Sequence, residues 1–494
     1  MRNKLILIFA SAIFTALAFP PYKFGFIIYF APILLLYLLE NIEAREAFGI
    51  GYLWGLVFNL AALYGIFWAT IPGAFGGIAF IVLVPAVICW IYRLVANRSQ
   101  VLGLALWPLL WVSWDFLRTL SDFNFPWTDY GYTQSYYLPL IQISDITGVF
   151  GISLMIHIIN ILVYSLVRLQ LSRFRQRLIL IFAILLPISF LIYGYVRLPA
   201  KSEPGTLKIA LAQGNIGPDI KWENGGDKYS LDTYLELTHQ AAAESVSLVI
   251  WPETATPFYL LHEPTRFRSL KASIDSLRIN LLTGTPEYER AGDNEYIYFN
   301  AAALISPNKR NVQTYSKIKL VPMSERIPFS GRFKKLKDIH LGQADFSSGR
   351  EMTVFSFNGY KFATLICFES AFPGYCAEFC RRGAEFLVVI TNDMWFGPSS
   401  MPYQHAQMSV FRAIENRVPV VRCANTGISM FIDRWGRVHD ETRTFVKALA
   451  VDYIKPEPSS SLYNHWGDWL AHGCIIGSII IIAVAFLKRR KYIA

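Results

Sequence analysis

The sequence predicts an integral membrane multi-helix bundle of eight transmembrane helices, joined to one layered α/β domain. Two observations carry this. Hydrophobic residues make up 53% of the 494-residue chain and aromatics 15%, more than a soluble domain usually holds, and most of the excess lies in the first two hundred residues. From 205 to 458 the chain is hydrophilic, and short β-like apolar runs alternate there with longer amphipathic stretches.

Taken in chain order, windows of about 20 residues place apolar spans near 5–19, 25–39, 50–69, 76–95, 101–117, 149–169, 178–195 and 471–487. The first seven lie in a region 1–198, the hydrophilic domain occupies 205–458, and the eighth helix 469–488. Arg2 and Lys4 before a short apolar run, with Ala16 and Ala18 near its end, also fit a cleaved leader. A second span following at once across Pro20-Pro21 favours retention of the first. An even number of crossings puts both chain ends on one side.

The cations set the orientation. Arg2, Lys4, Arg45, Arg93, Arg98, the group Arg168, Arg173, Arg175 and Arg177, and Lys488 to Lys491 fall at alternate ends of successive spans, which assigns them to the cytoplasmic side. The loop 121–137 and the hydrophilic domain are then left on the far side. The net charge of +10 reads mainly as this topology signal, with some attraction to anionic lipid headgroups. No basic stripe with interleaved aromatics points to nucleic acid. Six cysteines show no zinc spacing, and no metal or cofactor is expected.

Within the domain, 207–213, 247–251, 280–286, 300–305, 361–367, 385–391, 418–424 and 429–433 read as strands. The stretches 228–245, 264–276, 370–382 and 404–417 read as helices. Linkers at 198–205 and 455–461 are short, which keeps the domain near the bilayer. Cys376 and Cys380, four apart on a helix, share a face and read as structural.

Three side chains carry chemistry. Cys367 ends the run Phe362-Ala-Thr-Leu-Ile-Cys ahead of a helical stretch, where exposed N–H groups and a helix N-terminus are expected to lower a thiol pKa and stabilise an oxyanion. A buried core cysteine is the plain alternative. Glu253 follows Trp251-Pro252, where proline stops the strand and turns the carboxylate out as a proton carrier, or as a solvated turn residue. Lys317 and Lys319 share strand parity, so either could serve as the amine or be a surface lysine. Glu325 and Glu369 stand within a few residues of the lysines and the cysteine.

Together these residues resemble the nitrilase superfamily, which has a Glu–Lys–Cys triad on an αββα sandwich. The resemblance runs through Ala210-Leu-Ala-Gln-Gly-Asn215, Trp251-Pro-Glu-Thr-Ala255, Tyr315-Ser-Lys317 with Leu320-Val-Pro322, Leu365-Ile-Cys-Phe-Glu369 and Thr391-Asn-Asp393. Phe125-Pro-Trp127, Gly131-Tyr-Thr-Gln134, Trp395-Phe396, Asn425-Thr-Gly427 and Ile432-Asp433 resemble its membrane-bound branch, the apolipoprotein N-acyltransferase family. That resemblance implies Glu253 as general base, Lys317 as stabiliser of the transition state and Cys367 as nucleophile. It implies supporting or substrate-binding roles for Glu325, Glu369, Trp222, Asn300 and Phe368. Phe368 stands where Tyr often follows the nucleophile, and Met323-Ser324 where Phe-Gly is common.

The implied reaction needs no cofactor. Cys367 takes an acyl chain from a phospholipid donor as a thioester and passes it to the N-terminal α-amine of a diacylglyceryl apolipoprotein acceptor. The family's site is the bacterial inner membrane, with the domain on the periplasmic side and both termini cytoplasmic. A membrane-tethered nitrilase-type amidase, in which water resolves the thioester, is the second enzyme reading; a non-catalytic membrane receptor on the same fold is the third. The aromatic loop with Trp127, Tyr130, Tyr132, Tyr136 and Tyr137 reads as a lipid portal or as a generic interfacial belt. Stretches 259–264 and 334–346 read as lids.

Overall fold

A computed structural model describes residues 2–292, 295–329 and 346–487. Two compact units divide the chain: residues up to Phe67, Ile71–Leu198 and Trp466 onward form one, Trp68–Thr70 and Pro199–His465 the other.

The first unit is helical. Its elements are α1 (Arg2–Leu17), α2 (Ala31–Leu38), α3 (Ala44–Ala62), α4 (Ile71–Ala96), α5 (Gln100–Leu117), the short α6 (Leu138–Ile141) and α7 (Ser144–Thr147), α8 (Val149–Arg168), α9 (Arg173–Arg197) and a final helix Trp469–Leu487. Among the described residues five helices are long and apolar enough to cross a membrane: α4, α5, α8, α9 and the final one.

Three of the eight expected spans, 5–19, 25–39 and 50–69, fall outside these five, and the causes are local. The stretch expected at 25–39 breaks at Phe30 into a 3-10 turn, Gly25–Tyr29, and the eight-residue α2, whose first turn carries Pro32. Its 14 residues rise about 21 Å, short of a hydrocarbon core about 30 Å thick. Helix α1 has 16 residues, and α3 opens on Ala44-Arg45-Glu46. Both are nevertheless packed into the unit. Trp54 donates to Ser11 Oγ at 3.0 Å, and a Cβ on Gly51 would stand 2.6 Å from the Pro85 carbonyl oxygen, so only glycine lets α3 approach α4 so closely. The expected cluster Lys488–Lys491 lies outside the described residues.

The aromatic loop after α5 folds inward. Trp127, Tyr130 and Tyr132 are each 2% exposed, with Tyr130 stacked on Trp111 and on His157, while Tyr136 and Tyr137 are half-buried. The cause is Arg118, buried and donating to Asp115 at 3.0 Å, to Thr128 at 3.1 Å and to Asp129, which draws the loop over the helix end. An outward-facing aromatic belt is not what these rings form.

The second unit is built on two six-stranded sheets among the described residues. The first runs in the order β12-β1-β2-β3-β4-β5, from β1 (Leu207–Gln213), β2 (Leu248–Ile250), β3 (Asn280–Arg290), β4 (Tyr296–Ile305), β5 (Gln313–Ser316) and β12 (Ala448–Ile454). The second runs β11-β10-β9-β8-β7-β6, from β6 (Val354–Phe357), β7 (Tyr360–Ile366), β8 (Phe386–Thr391), β9 (Val420–Ala424), β10 (Met430–Ile432) and β11 (Val438–His439). In each sheet three parallel strands, β1-β2-β3 and β7-β8-β9, are flanked by antiparallel ones.

Strands covered on both faces should be apolar at nearly every position, and β8, Phe-Leu-Val-Val-Ile-Thr, is buried throughout. After the short α10 (Pro218–Lys221), α11 (Gly226–Ala243) and α12 (Pro264–Leu277) cover the first sheet. Tyr234, Leu237, Leu270 and Ile274 share a core with Ala210, Ala212, Val249 and Trp251. The helices α13 (Pro373–Arg381) and α14 (Met401–Asn416) pack on the second sheet, and the sheets meet where β1 faces β9 and β4 faces β7. This is a four-layer αββα sandwich.

The eight expected strands and four expected helices all form, with ends shifted by up to four residues. Four strands were not expected: β5, β6 and β11 are only two to four residues long, and β12 is half-buried at most of its positions. Of the two expected lids, 259–264 forms a 3-10 turn tied to the β3–β4 hairpin through His262–Glu287 and Tyr259–Tyr288 contacts. Most of the other, 334–345, lies outside the described residues.

Candidate active site

Glu253 stands just past the C-terminal end of β2, where α/β sites are usually built. Trp251 still pairs with β3, donating to the Leu282 carbonyl at 2.8 Å, and Pro252 then ends the ladder. Close approach fixes the turn. A Cβ on Gly284 would stand 2.6 Å from Thr254 N and 2.7 Å from Glu253 Cα, so β3 must carry glycine there. The Glu253 carboxylate, 5% exposed, accepts from Asn300 Nδ2 at 2.7 Å and from the Asn392 amide at 2.9 Å.

Lys317 follows β5 and is 1% exposed. Its ammonium lies 2.8 Å from Glu325 Oε1 and 3.5 Å from Glu253 Oε1, and Asn300 Nδ2 also reaches Glu325 at 3.2 Å. Burial by itself would depress the ammonium. The charges of Glu325 and Glu253 outweigh it, so Lys317 is held above the ordinary lysine range and stays protonated. Lys319, which shares strand parity, is placed differently: its ammonium stands over the Phe372 and Tyr375 rings at 5.2 and 5.8 Å, and burial lowers its pKa.

Cys367 follows β7 in the left-handed region, φ +53°, at the head of a 3-10 turn Cys367–Ala371. The α-helix expected from 370 begins only at Pro373, so the thiol is not at an α-helix N-terminus. The expected lowering of its pKa is corrected accordingly. Burial pushes the Cys367 thiol up, the Glu253 charge adds to this, and Lys317 opposes it without prevailing. The resting group is a thiol, and it needs a base.

Glu369 ties the two sheets together. Its Oε1 accepts from the Ile318 and Lys319 amides at 2.7 and 3.1 Å and from the Tyr315 hydroxyl at 2.6 Å, while Oε2 accepts from the Ile366 amide at 2.8 Å. One carboxylate thus fixes the chain after Lys317 against the strand before Cys367. Burial raises its pKa, against the opposing hydrogen bonds from Tyr315 and the amides. Phe368 is 2% exposed and packs edge-on against Phe372. Trp222 is 57% exposed at the end of α10 and stands outside the buried cluster.

Two groups had no sequence signal. Lys221, 3% exposed, donates to the Thr254 carbonyl at 2.8 Å, and burial pushes it down to about 8 against the Glu253 charge. His405 on α14 is fully buried against the turn that carries Cys367. Its other nitrogen meets Asp393, which burial would raise but which Arg422 and His405 hold at about 2. Asn392 and Asn425, part of the motifs noted above, are joined at 3.1 Å beside Glu253.

The arrangement offers a carboxylate past β2, a fixed cation past β5 and a thiol past β7 of the other sheet, with Glu253 and Lys317 both acting electrostatically on the sulfur. No group of side chains suited to a metal occurs among the described residues.

Residues 208–457 match the carbon–nitrogen hydrolase family, and residues 11–162 match the apolipoprotein N-acyltransferase N-terminal domain. Among curated relatives, a protein of Geobacter metallireducens named apolipoprotein N-acyltransferase is 34% identical, covering 100% of this chain and 96% of the relative. One of the same name from Chlorobaculum tepidum is 32% identical over 97% of this chain and 96% of its own. A third, from Pasteurella multocida, is 27% identical over 99% and 98%. Both halves of the chain are therefore accounted for together, and the chain belongs to the apolipoprotein N-acyltransferase family, with a domain of the carbon–nitrogen hydrolase type.

Proposed function

We propose that this protein N-acylates apolipoproteins in a bacterial membrane, moving an acyl chain from a phospholipid to the α-amine of an N-terminal diacylglyceryl-cysteine through a thioester on Cys367. The observation that carries the catalytic reading is the buried cluster in which Glu253 and Lys317 share Asn300 and Glu325 and act on the Cys367 sulfur.

In the first step Glu253 takes the thiol proton and the sulfur attacks the ester carbonyl carbon, whose oxygen becomes an oxyanion held by Lys317 and backbone N–H groups. The carbonyl re-forms, the C–O bond breaks, and the departing glycerol oxygen takes the proton from Glu253. A lysophospholipid leaves. In the second step the neutral α-amine attacks the thioester carbonyl and gives a proton to Glu253. The C–S bond breaks, and the thiolate recovers that proton. An amide replaces an ester, so no external energy source is needed.

The helical unit is read as the membrane anchor that keeps both lipids' acyl chains in the bilayer. In this reading α1, the broken stretch 25–38 and α3 complete eight crossings, both termini are cytoplasmic and the domain at 205–458 is periplasmic. Trp222, whose ring is exposed, and the loop bearing Trp127 are read as substrate contacts.

Intact mass after exposure to phospholipid vesicles tests the first step. An acyl group mapped to Cys367, then transferred to a diacylated lipopeptide, is the expected result. Free fatty acid without lipopeptide acylation would instead favour the hydrolase, and a Cys367→Ser chain as active as the parent would end the reading.

A further inference from the structure

The peptide unit between Cys367 and Phe368 is gripped by a buried polar network reaching back through three elements of the second sheet layer. Ser370 donates to the Cys367 carbonyl at 2.9 Å, and His405 Nε2 lies 3.1 Å from that carbonyl and 3.0 Å from Ser370 Oγ. His405 Nδ1 accepts from Arg422 at 3.1 Å, which leaves the ring proton on Nε2 facing the carbonyl; Arg422 also donates to Asp393 Oδ2 at 2.7 Å, and Asp393 Oδ1 lies 2.9 Å from Nδ1. Thr391 donates to the same Oδ1 at 3.0 Å. His405, Arg422 and Ser370 are 0% exposed and Asp393 is 1%. Seven residues along α14, Arg412 donates to the Ser370 carbonyl at 3.2 Å, so the helix holds the turn at a second point.

Burying an ion pair and an imidazole is costly unless they are partnered, and this chain of partners runs from the Ile428 carbonyl, 3.2 Å from Arg422 Nε, to the Cys367 carbonyl oxygen. A trans peptide is planar, with its C=O and N–H pointing in opposite directions, so a grip on the Cys367 oxygen also fixes the direction of the Phe368 N–H. Because Cys367 is left-handed, that plane is turned out of the line of β7 and the strand does not hold it.

We propose that His405 is a positioning residue for the acylation step: with Ser370, and braced by Arg422, which Asp393 holds in turn, it holds the Cys367 carbonyl so that the Phe368 N–H is directed at the developing oxyanion. This rests on Cys367 being the nucleophile, as argued above. A backbone donor aimed at an oxyanion contributes about 10²- to 10³-fold in rate.

The test compares two reactions of the same sulfur in the purified full chain. Acylation by p-nitrophenyl butyrate passes through an oxyanion and releases nitrophenolate; alkylation by iodoacetamide displaces iodide and forms none. His405→Ala is expected to slow acylation of Cys367 about 100-fold while leaving its alkylation rate nearly unchanged. His405→Gln, whose amide can again meet the carbonyl or Ser370, is expected to restore most of the loss. Ser370→Ala should show the same selectivity to a smaller degree. Equal loss of both reactions in His405→Ala without rescue by Gln, or acylation that is unaffected, would overturn the proposal. If the parent chain is acylated somewhere other than Cys367, the nucleophile assignment itself fails and this inference goes with it; an acylated parent with an indifferent His405→Ala sinks only the inference.

Discussion

The two sheets of the domain repeat one plan, three parallel strands with antiparallel edges, yet they hold opposite kinds of chemistry. The first contributes the charged groups, Glu253 past β2 and Lys317 past β5, with the neutral amide of Asn300 on β4 between them. The second contributes a neutral thiol on a left-handed residue, with its charges placed behind Cys367 in the Asp393–Arg422 pair. The proposed proton carrier and the proposed nucleophile thus stand on separate scaffolds. They are joined by Glu369, and by Asn392, whose amide reaches from the end of β8 to Glu253.

Breaking the second scaffold at the sulfur should have the largest effect. Cys367→Ala is expected to lower lipopeptide acylation by at least about four orders of magnitude, because a nucleophile's loss removes the whole covalent route. Its thermal unfolding should stay close to the parent's.

On the first scaffold, Glu253→Gln keeps an acceptor for the Asn392 amide but cannot take a proton. Acyl-enzyme formation, read by intact mass against time, should fall about 10²- to 10⁴-fold. Lys317→Met should lose as much activity and also stability. Glu253 and Glu325 would then share Asn300 with no cation between them, at a cost of about 3–5 kcal/mol in chemical denaturation.

The joint between the scaffolds gives a smaller effect. Glu369→Gln keeps the shape but removes the charge that five donors, the Tyr375 hydroxyl among them, converge on; it should destabilise the domain by about 1.5–3 kcal/mol, with a partial loss of transfer. Equal stability of this variant and the parent would show that the sheets are held together elsewhere.

The smallest effect is at Lys221. Its folded pKa is depressed to about 8 from 10.5, so between those values the unfolded chain binds more protons and stability rises with pH. The parent should therefore gain on Lys221→Met as pH rises from about 8 toward 10.5, measured as the difference between their melting temperatures. A difference that does not change with pH would mean that the ammonium is not desolvated.

Much of this division was legible in the chain. The apolar runs ending in Glu253 and Cys367 mark strand ends because buried parallel strands need β-branched and apolar residues on both faces. The edge strands β5, β6 and β11 were not legible, since two to four residues carry no period. Lys221 and His405 were invisible for a different reason: their partners, Thr254 and Cys367, lie 33 and 38 residues away, and only the fold brings them together. The thiol's acidity was misjudged because a helix N-terminus was expected where Pro373 delays the helix and burial governs instead. In the helical unit, hydropathy located the apolar stretches but did not reveal the interruption at Phe30.

The left-handed backbone at Cys367 has one more consequence. A residue with a Cβ sits there at a penalty of about 1–2 kcal/mol, from which glycine is exempt. A chain with Cys367→Gly, expected to be inert, gains from this relief, and any net rise in its unfolding temperature would show how much resilience the fold forgoes in order to present a side chain at that point.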